Sequence, residues 1–310
     1  MAEMLFSNLF RVASFLDSKA LLNLALTCTR CGIANEDCSL SLAEELARQL
    51  IRERSSEWEL KALPRYLCPN PGCACGESWI GLLRELELLR SPLTFDQLIG
   101  DRVEHVGGDL SCITSSPPPG SLCNPFYDEW PGYPNTAICS NHVMRSGKHY
   151  ATFSMKGCRA FCYFWAGVIR PIQGWDKLGL KEFSMYVTAN HEFLQEEQTE
   201  RWGDSDVNWC TFNQWDGSCC WADWEESIVR DGVQWSGMEA FEFDDGELGL
   251  LLDLDLGTLT AYKNGRRLGI MKDGLSGEYC WTSSIMAHYN PGQFGVEQSI
   301  RIKREELPST

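Results

Sequence analysis

The chain is short of positive charge: 27 lysines and arginines stand against 43 aspartates and glutamates, for a formal net charge of -16. A field of that sign repels phosphate backbones and anionic bilayers, which excludes nucleic acid and membrane surfaces as expected partners. Long apolar runs are also missing. The longest, 161–169, falls well short of the roughly 18–20 residues of a membrane span and suits a buried strand. The opening MAEMLFSNLFR has no basic stretch ahead of an apolar segment, which points away from secretion. Histidine is scarce and scattered, at His105, His142, His149, His191 and His288. Neither a Gly-x-Ser-x-Gly elbow, a phosphate loop nor a His-Glu-x-x-His motif occurs, so neither an enzyme nor a cofactor is expected.

Cysteine, by contrast, is plentiful, with 15 residues. The odd number, the irregular spacing and the lack of any Asn-x-Ser/Thr sequon fit free thiols in a reducing compartment, the cytoplasm or the nucleus. The tightest groupings are Cys28-x-x-Cys31 with Cys38, and Cys68 with Cys73 and Cys75. Cys28 falls on the apolar stripe of a helix and no Cys-x-x-Cys recurs at finger spacing, so no metal site is expected.

The clearest local signal is 246–272, GELGLLLDLDLGTLTAYKNGRRLGIMK. Leu250, Leu252 and Leu254 alternate with other residues at a period of two, and Asp255-Leu256-Gly257 supplies a turn. Asn264-Gly265 is the strongest short hairpin signal, because a type I′ turn needs positive φ at both central residues. Folding there places Lys263 opposite Arg266, Ala261 opposite Leu268 and Leu259 opposite Ile270, with the last four residues on one buried face. Asp253 and Asp255 read as turn caps. Further strand-like runs at 147–155, 160–169 and 183–188 complete the pattern of an all-β sandwich.

The run LLLDLDLGTLTAYKNGRRLG, followed by Gly277-Glu278-Tyr279-Cys280-Trp281, resembles the core signature of the SPRY domain. Gly147-Lys148-His149-Tyr150 resembles the same family's earlier strand. The resemblance covers roughly 99–303 and implies a protein-binding antiparallel sandwich.

Ahead of it the chain is helical. Leu5, Leu9, Val12 and Leu16 recur at helical spacing. Asp17 or Ser18 can cap a second helix carrying Leu21, Leu22, Leu24, Ala25 and Cys28, until Gly32 stops it. So short a pair cannot bury both faces, and its stripe must meet either the following helices or a partner. Phe15-Leu16 and the run from Leu21 to Cys28 resemble an F-box, which implies that Leu5, Leu9, Leu21, Leu22 and Leu24 dock on a Skp-type adaptor. The other reading is a helical hairpin capping the next domain. Ser41 and Glu44 form a capping-box pattern before a helix that presents Leu42, Leu46, Leu50 and Ile51 and ends at Pro64. Another helix over 78–90 presents Trp79, Leu82, Leu83, Leu86 and Leu89.

Two aromatic-rich stretches stand out. Six of the 13 prolines fall in 115–134 beside Phe126, Tyr127, Trp130 and Tyr133, a surface loop that is either pinned to the domain or used in recognition. Half of the 12 tryptophans lie in 202–235, where Asn213, Asp216, Gly217 and Ser218 mark a hairpin. Core packing is the simpler role for those indoles, and a solvated loop for Glu192, Glu196, Glu197 and Glu200.

The resulting expectation is an α+β multidomain chain. An F-box-like helical unit over 1–35 and a helical linker region over 36–98 precede a SPRY-like β-sandwich over 99–310. A partner-binding rim is expected from loops at one end, using Tyr127, Trp130, Trp215, Met286, His288 and Tyr289. Together the two resemblances imply target binding for a cullin-type ubiquitin ligase. The alternative is a SPRY scaffold with no ligase connection.

Overall fold

The computed structural model describes residues 16–33, 40–63, 78–116, 135–157, 163–172, 188, 191–225, 228–241, 246–286 and 298–308. They fall into two compact units, 1–91 and 92–310.

The first unit is helical: α1 (Ser18–Thr27), α2 (Thr29–Gly32), α3 (Leu42–Arg54), α4 (Glu57–Ala62) and α5 (Trp79–Arg90). Asp17 caps α1, its Oδ1 accepting the Ala20 amide at 2.7 Å. Leu21, Leu46, Leu50, Ile51, Leu83 and Leu86 make a shared core. The capping box expected at Ser41 and Glu44 is only half made. Ser41 Oγ accepts the Glu44 amide at 3.3 Å, but the Glu44 carboxylate accepts the Trp79 amide at 2.6 Å and so helps to cap α5 instead. The complete box belongs to Ser56 and Glu59. It starts α4, which is why the helix expected to run to Pro64 breaks after Arg54. Glu59 also accepts from Arg90 at 2.7 and 3.1 Å, and the guanidinium holds its carboxyl down to about 2.

The second unit is a sandwich of two antiparallel seven-stranded sheets. One sheet runs β1 (Gln97–Ile99), β4 (Asn135–Ile138), β13 (Cys280–Met286), β6 (Tyr163–Ile169), β7 (Trp209–Asn213), β8 (Cys219–Asp223), β9 (Ile228–Val233). The other runs β12 (Arg266–Asp273), β11 (Thr258–Lys263), β10 (Gly246–Asp253), β5 (Lys148–Lys156), β14 (Ser299–Arg304), β3 (Asp109–Ser115), β2 (Val103–Val106). Between them lie Phe153, Phe164, Leu250, Leu252, Leu259, Trp281 and Ile300. The core begins before residue 99, because Leu93 and Phe95 are buried in it.

The first sheet is apolar on both faces, as the near-continuous apolar run of β6 requires. Trp165, Ile169, Trp209 and Ala222 form a second core with Leu194 and Trp202. Leu194 comes from a short helix, α6 (His191–Glu196), where a solvated loop was expected. Its acids Glu192 and Glu196 are exposed while His191 and Leu194 are buried.

The meander is present, with its turn at Asn264 (φ 50°) and Gly265 (φ 77°). Its second register differs from the expected one. Lys263 does oppose Arg266, but Ala261 opposes Gly269, Thr260 opposes Ile270 and Leu259 opposes Lys272, because two bulges intervene. Each bulge inserts an extra residue, Leu268 and then Met271, and each re-phases the alternation. Met271 therefore turns into the core at 5% exposure, and Ile270 lies outside at 48%.

Candidate interaction surfaces

Trp215 sits at the tip of the β7–β8 hairpin and is 39% exposed. The tip is braced by its own turn chemistry: Asn213 Oδ1 accepts the Trp215 amide at 3.0 Å and Asp216 Oδ1 accepts the Ser218 amide at 2.9 Å. Its ring leans on Tyr163 at 5.3 Å, and Tyr163 stacks on Trp165 at 6.1 Å. A rigid aromatic held this way offers contact area with little entropy left to lose. Most of the neighbouring indoles do pack inside: Trp202, Trp209 and Trp224 are buried.

The other rim residues stand differently. Met286 ends β13 at 4% exposure within the second core, so it offers no surface there. Tyr127, Trp130, His288 and Tyr289 lie outside the described residues.

On α1, Leu21 is fully buried within the helical unit and Leu24 is half-buried. Leu22 is 45% exposed and Leu26, one turn on, is 76% exposed. Ser18 donates through its amide (2.8 Å) and its hydroxyl (2.5 Å) to Glu87, anchoring the buried side of α1 to α5. Leu5 and Leu9 lie outside the described residues, as do Cys38, Cys68, Cys73 and Cys75.

Three groups show how the sandwich holds its polar interior. Asp253 Oδ1 accepts the Asp255 and Leu256 amides at 3.2 and 3.1 Å and its other oxygen pairs with Lys148 at 2.8 Å, a turn cap with a counter-charge. His149 Nε2 donates to the Ser146 carbonyl at 2.8 Å, and its ring meets His142 edge-on at 5.9 Å. Burial drives both imidazoles toward the neutral form, His142 well below the usual range and His149 to about 4. Arg170, which no periodicity marked, is wholly buried. It donates to the carbonyls of Ser276 (2.7 Å), Glu278 (3.2 Å) and Ser205 (3.1 Å) and lies over the Tyr279 ring at 4.2 Å. Its only sequence signal was a charge placed directly after the apolar run of β6.

No family profile matches the chain, and no curated protein matches it in sequence. Among solved structures it is similar to the SPRY domain of human HERC1, at 9% identity and a TM-score of 0.39 over 68% of this chain and 99% of that one. It is also similar to the TRIM65 PSpry domain (14% identity, TM-score 0.38, 77% and 100% covered). A third is a human SPRY domain (13%, TM-score 0.32, 65% and 96%).

Proposed function

We infer that this chain is a non-enzymatic interaction protein of the cytoplasm or nucleus. Its SPRY-type sandwich binds a target protein or peptide, and its F-box-like helices dock on a Skp-type adaptor, making it a substrate-recognition subunit of a cullin-type ubiquitin ligase. The observation that carries the adaptor half is the pair Leu22 and Leu26, exposed one turn apart on a helix that Ser18 and the buried Leu21 hold in place. Leucines left in water on an ordered helix are ready to be covered by a second protein. A second reading, a scaffold without ligase connection, draws support from Leu21, which finds its cover inside the helical unit.

The two readings separate in a co-purification with a Skp-type adaptor. Each leucine buried at an interface contributes about 1.5–3 kcal/mol, so the full-length chain carrying Leu22→Asp and Leu26→Asp should bind at least about a hundredfold more weakly than wild type. Leu21 is left untouched so that the helical core stays intact. Equal capture of variant and wild type, or capture of neither, sinks the ligase reading and leaves the scaffold. On the sandwich, Trp215→Ala should cost target affinity with melting unchanged, since the ring sits at an exposed tip.

A further inference from the structure

Near the turn at Glu200–Trp202 and the end of β8 lies a cavity of about 180 Å³. Asp204, Asp206, Asp223 and Glu225 line it, with the buried Trp202 and Trp224. Three of these carboxylates are exposed, as solvated acids usually are. Asp223 is not: it is 8% exposed. Its Oδ1 accepts the Glu225 amide at 2.9 Å, and the other oxygen has no partner among the described residues. None of the four is paired with a cation among those residues. Arg170 reaches the lining residues Ser205 and Asn208, but it bonds their carbonyl and carboxamide oxygens and no carboxylate.

Asp223 is largely enclosed, and its free oxygen meets only the water of the cavity. A carboxylate so placed, with no counter-charge among the described residues, is stabilised when a cation enters beside it. Among the described residues no group of His, Cys, Asp and Glu converges enough to ligate a metal ion, so the fitting cation is organic. The acids are spread around the cavity, and Gln195 and Gln198 add carboxamide oxygens to its wall. Dispersed acceptors suit the five N–H donors of a planar guanidinium better than a compact ammonium. A chain of net charge -16 also draws basic partners toward it.

We propose that this cavity receives an arginine side chain of the protein or peptide that the sandwich binds. The inference rests on reading the sandwich as a protein-binding module. It is tested by passing a pool of dodecapeptides, degenerate at every position, over the immobilised full-length chain and sequencing what is retained. Arginine should be enriched, and a retained peptide should lose at least tenfold in affinity when that arginine is replaced by citrulline, which keeps the shape and removes the charge. In the Asp223→Asn chain, the arginine and citrulline peptides should bind within twofold of each other. The same is expected of a chain carrying Asp204→Asn, Asp206→Asn and Glu225→Gln, all at exposed positions, and that variant decides the matter if Asp223→Asn fails to fold. Discrimination that survives in the variants overturns the pocket and leaves peptide binding standing. Retention with no residue enriched overturns both readings. Discrimination abolished by a chelator means that a metal ion holds the peptide, which also overturns the proposal.

Discussion

His142 and His149 lie buried side by side, and their surroundings explain why both stay neutral. Arg304 repels a proton on either ring, Arg145 repels one on His142, and neither nitrogen of His142 has a partner among the described residues. The sign of the pH effect follows. Above the unfolded value of about 6.5 both rings are neutral in both states and stability is complete. Below it the unfolded chain takes up protons that the folded chain refuses, so stability falls as pH drops from about 6.5 toward 4, by up to about 1.4 kcal/mol per pH unit for each ring. Carboxylates that favour folding, such as Glu59, lose their contribution as pH falls from the unfolded value of 4.5 toward about 2, below the window of the imidazoles. Melting temperatures between pH 6.5 and 5 therefore isolate the histidines. Replacing both by Gln should flatten the slope in that window, and a slope unchanged in the double variant would refute the assignment.

Among the elements, β12 depends most on a single backbone position. Gly269 adopts φ 153°, and a Cβ there would come within 2.7 Å of the Ser236 carbonyl oxygen. It lies between the two inserted residues, so the strand's register and the inward turn of Met271 hang on it. Gly269→Ala should destabilise the sandwich by about 1–3 kcal/mol through strained backbone. Gly265→Ala is the useful comparison, because that position has positive φ but open space around it. A Gly269→Ala protein that melts no lower than Gly265→Ala would mean that the bulges are not held by the approach to Ser236.

Taken whole, the molecule is two compact units, and the sandwich unit starts at residue 92. Residues 92–310 expressed alone should unfold in one cooperative transition. A chain beginning at residue 100 loses Leu93 and Phe95, which are 2% and 0% exposed, together with strand β1. Emptying two such core sites costs about 2–5 kcal/mol each, a large part of the stability of an ordinary domain. That shorter chain should therefore be largely unfolded by circular dichroism. Equal melting of the two would place the boundary after β1.

Much of this was legible from the sequence for reasons that are local. The period of two in Leu250, Leu252 and Leu254, the paired positive φ that Asn264-Gly265 needs, and the cap at Asp17 are each decided within a few residues of chain, and the structure bears them out. What tertiary structure alone decided is everything that depends on a distant neighbour. Glu44 had the spacing of a capping box but is taken by Trp79, 35 residues away. The two bulges of β12 appear only in the folded sheet, where Gly269 between them comes so near Ser236 that a Cβ would meet its carbonyl oxygen. Leu21 and Leu22 are adjacent in a leucine-rich stripe, yet one is sealed in a core and the other stands in water, because only packing chooses which side of a helix is covered. Arg170 and Asp223 look alike in sequence, single charges at the ends of apolar strands; the folded chain surrounds the first with carbonyls and leaves the second facing a cavity with one oxygen unpartnered among the described residues.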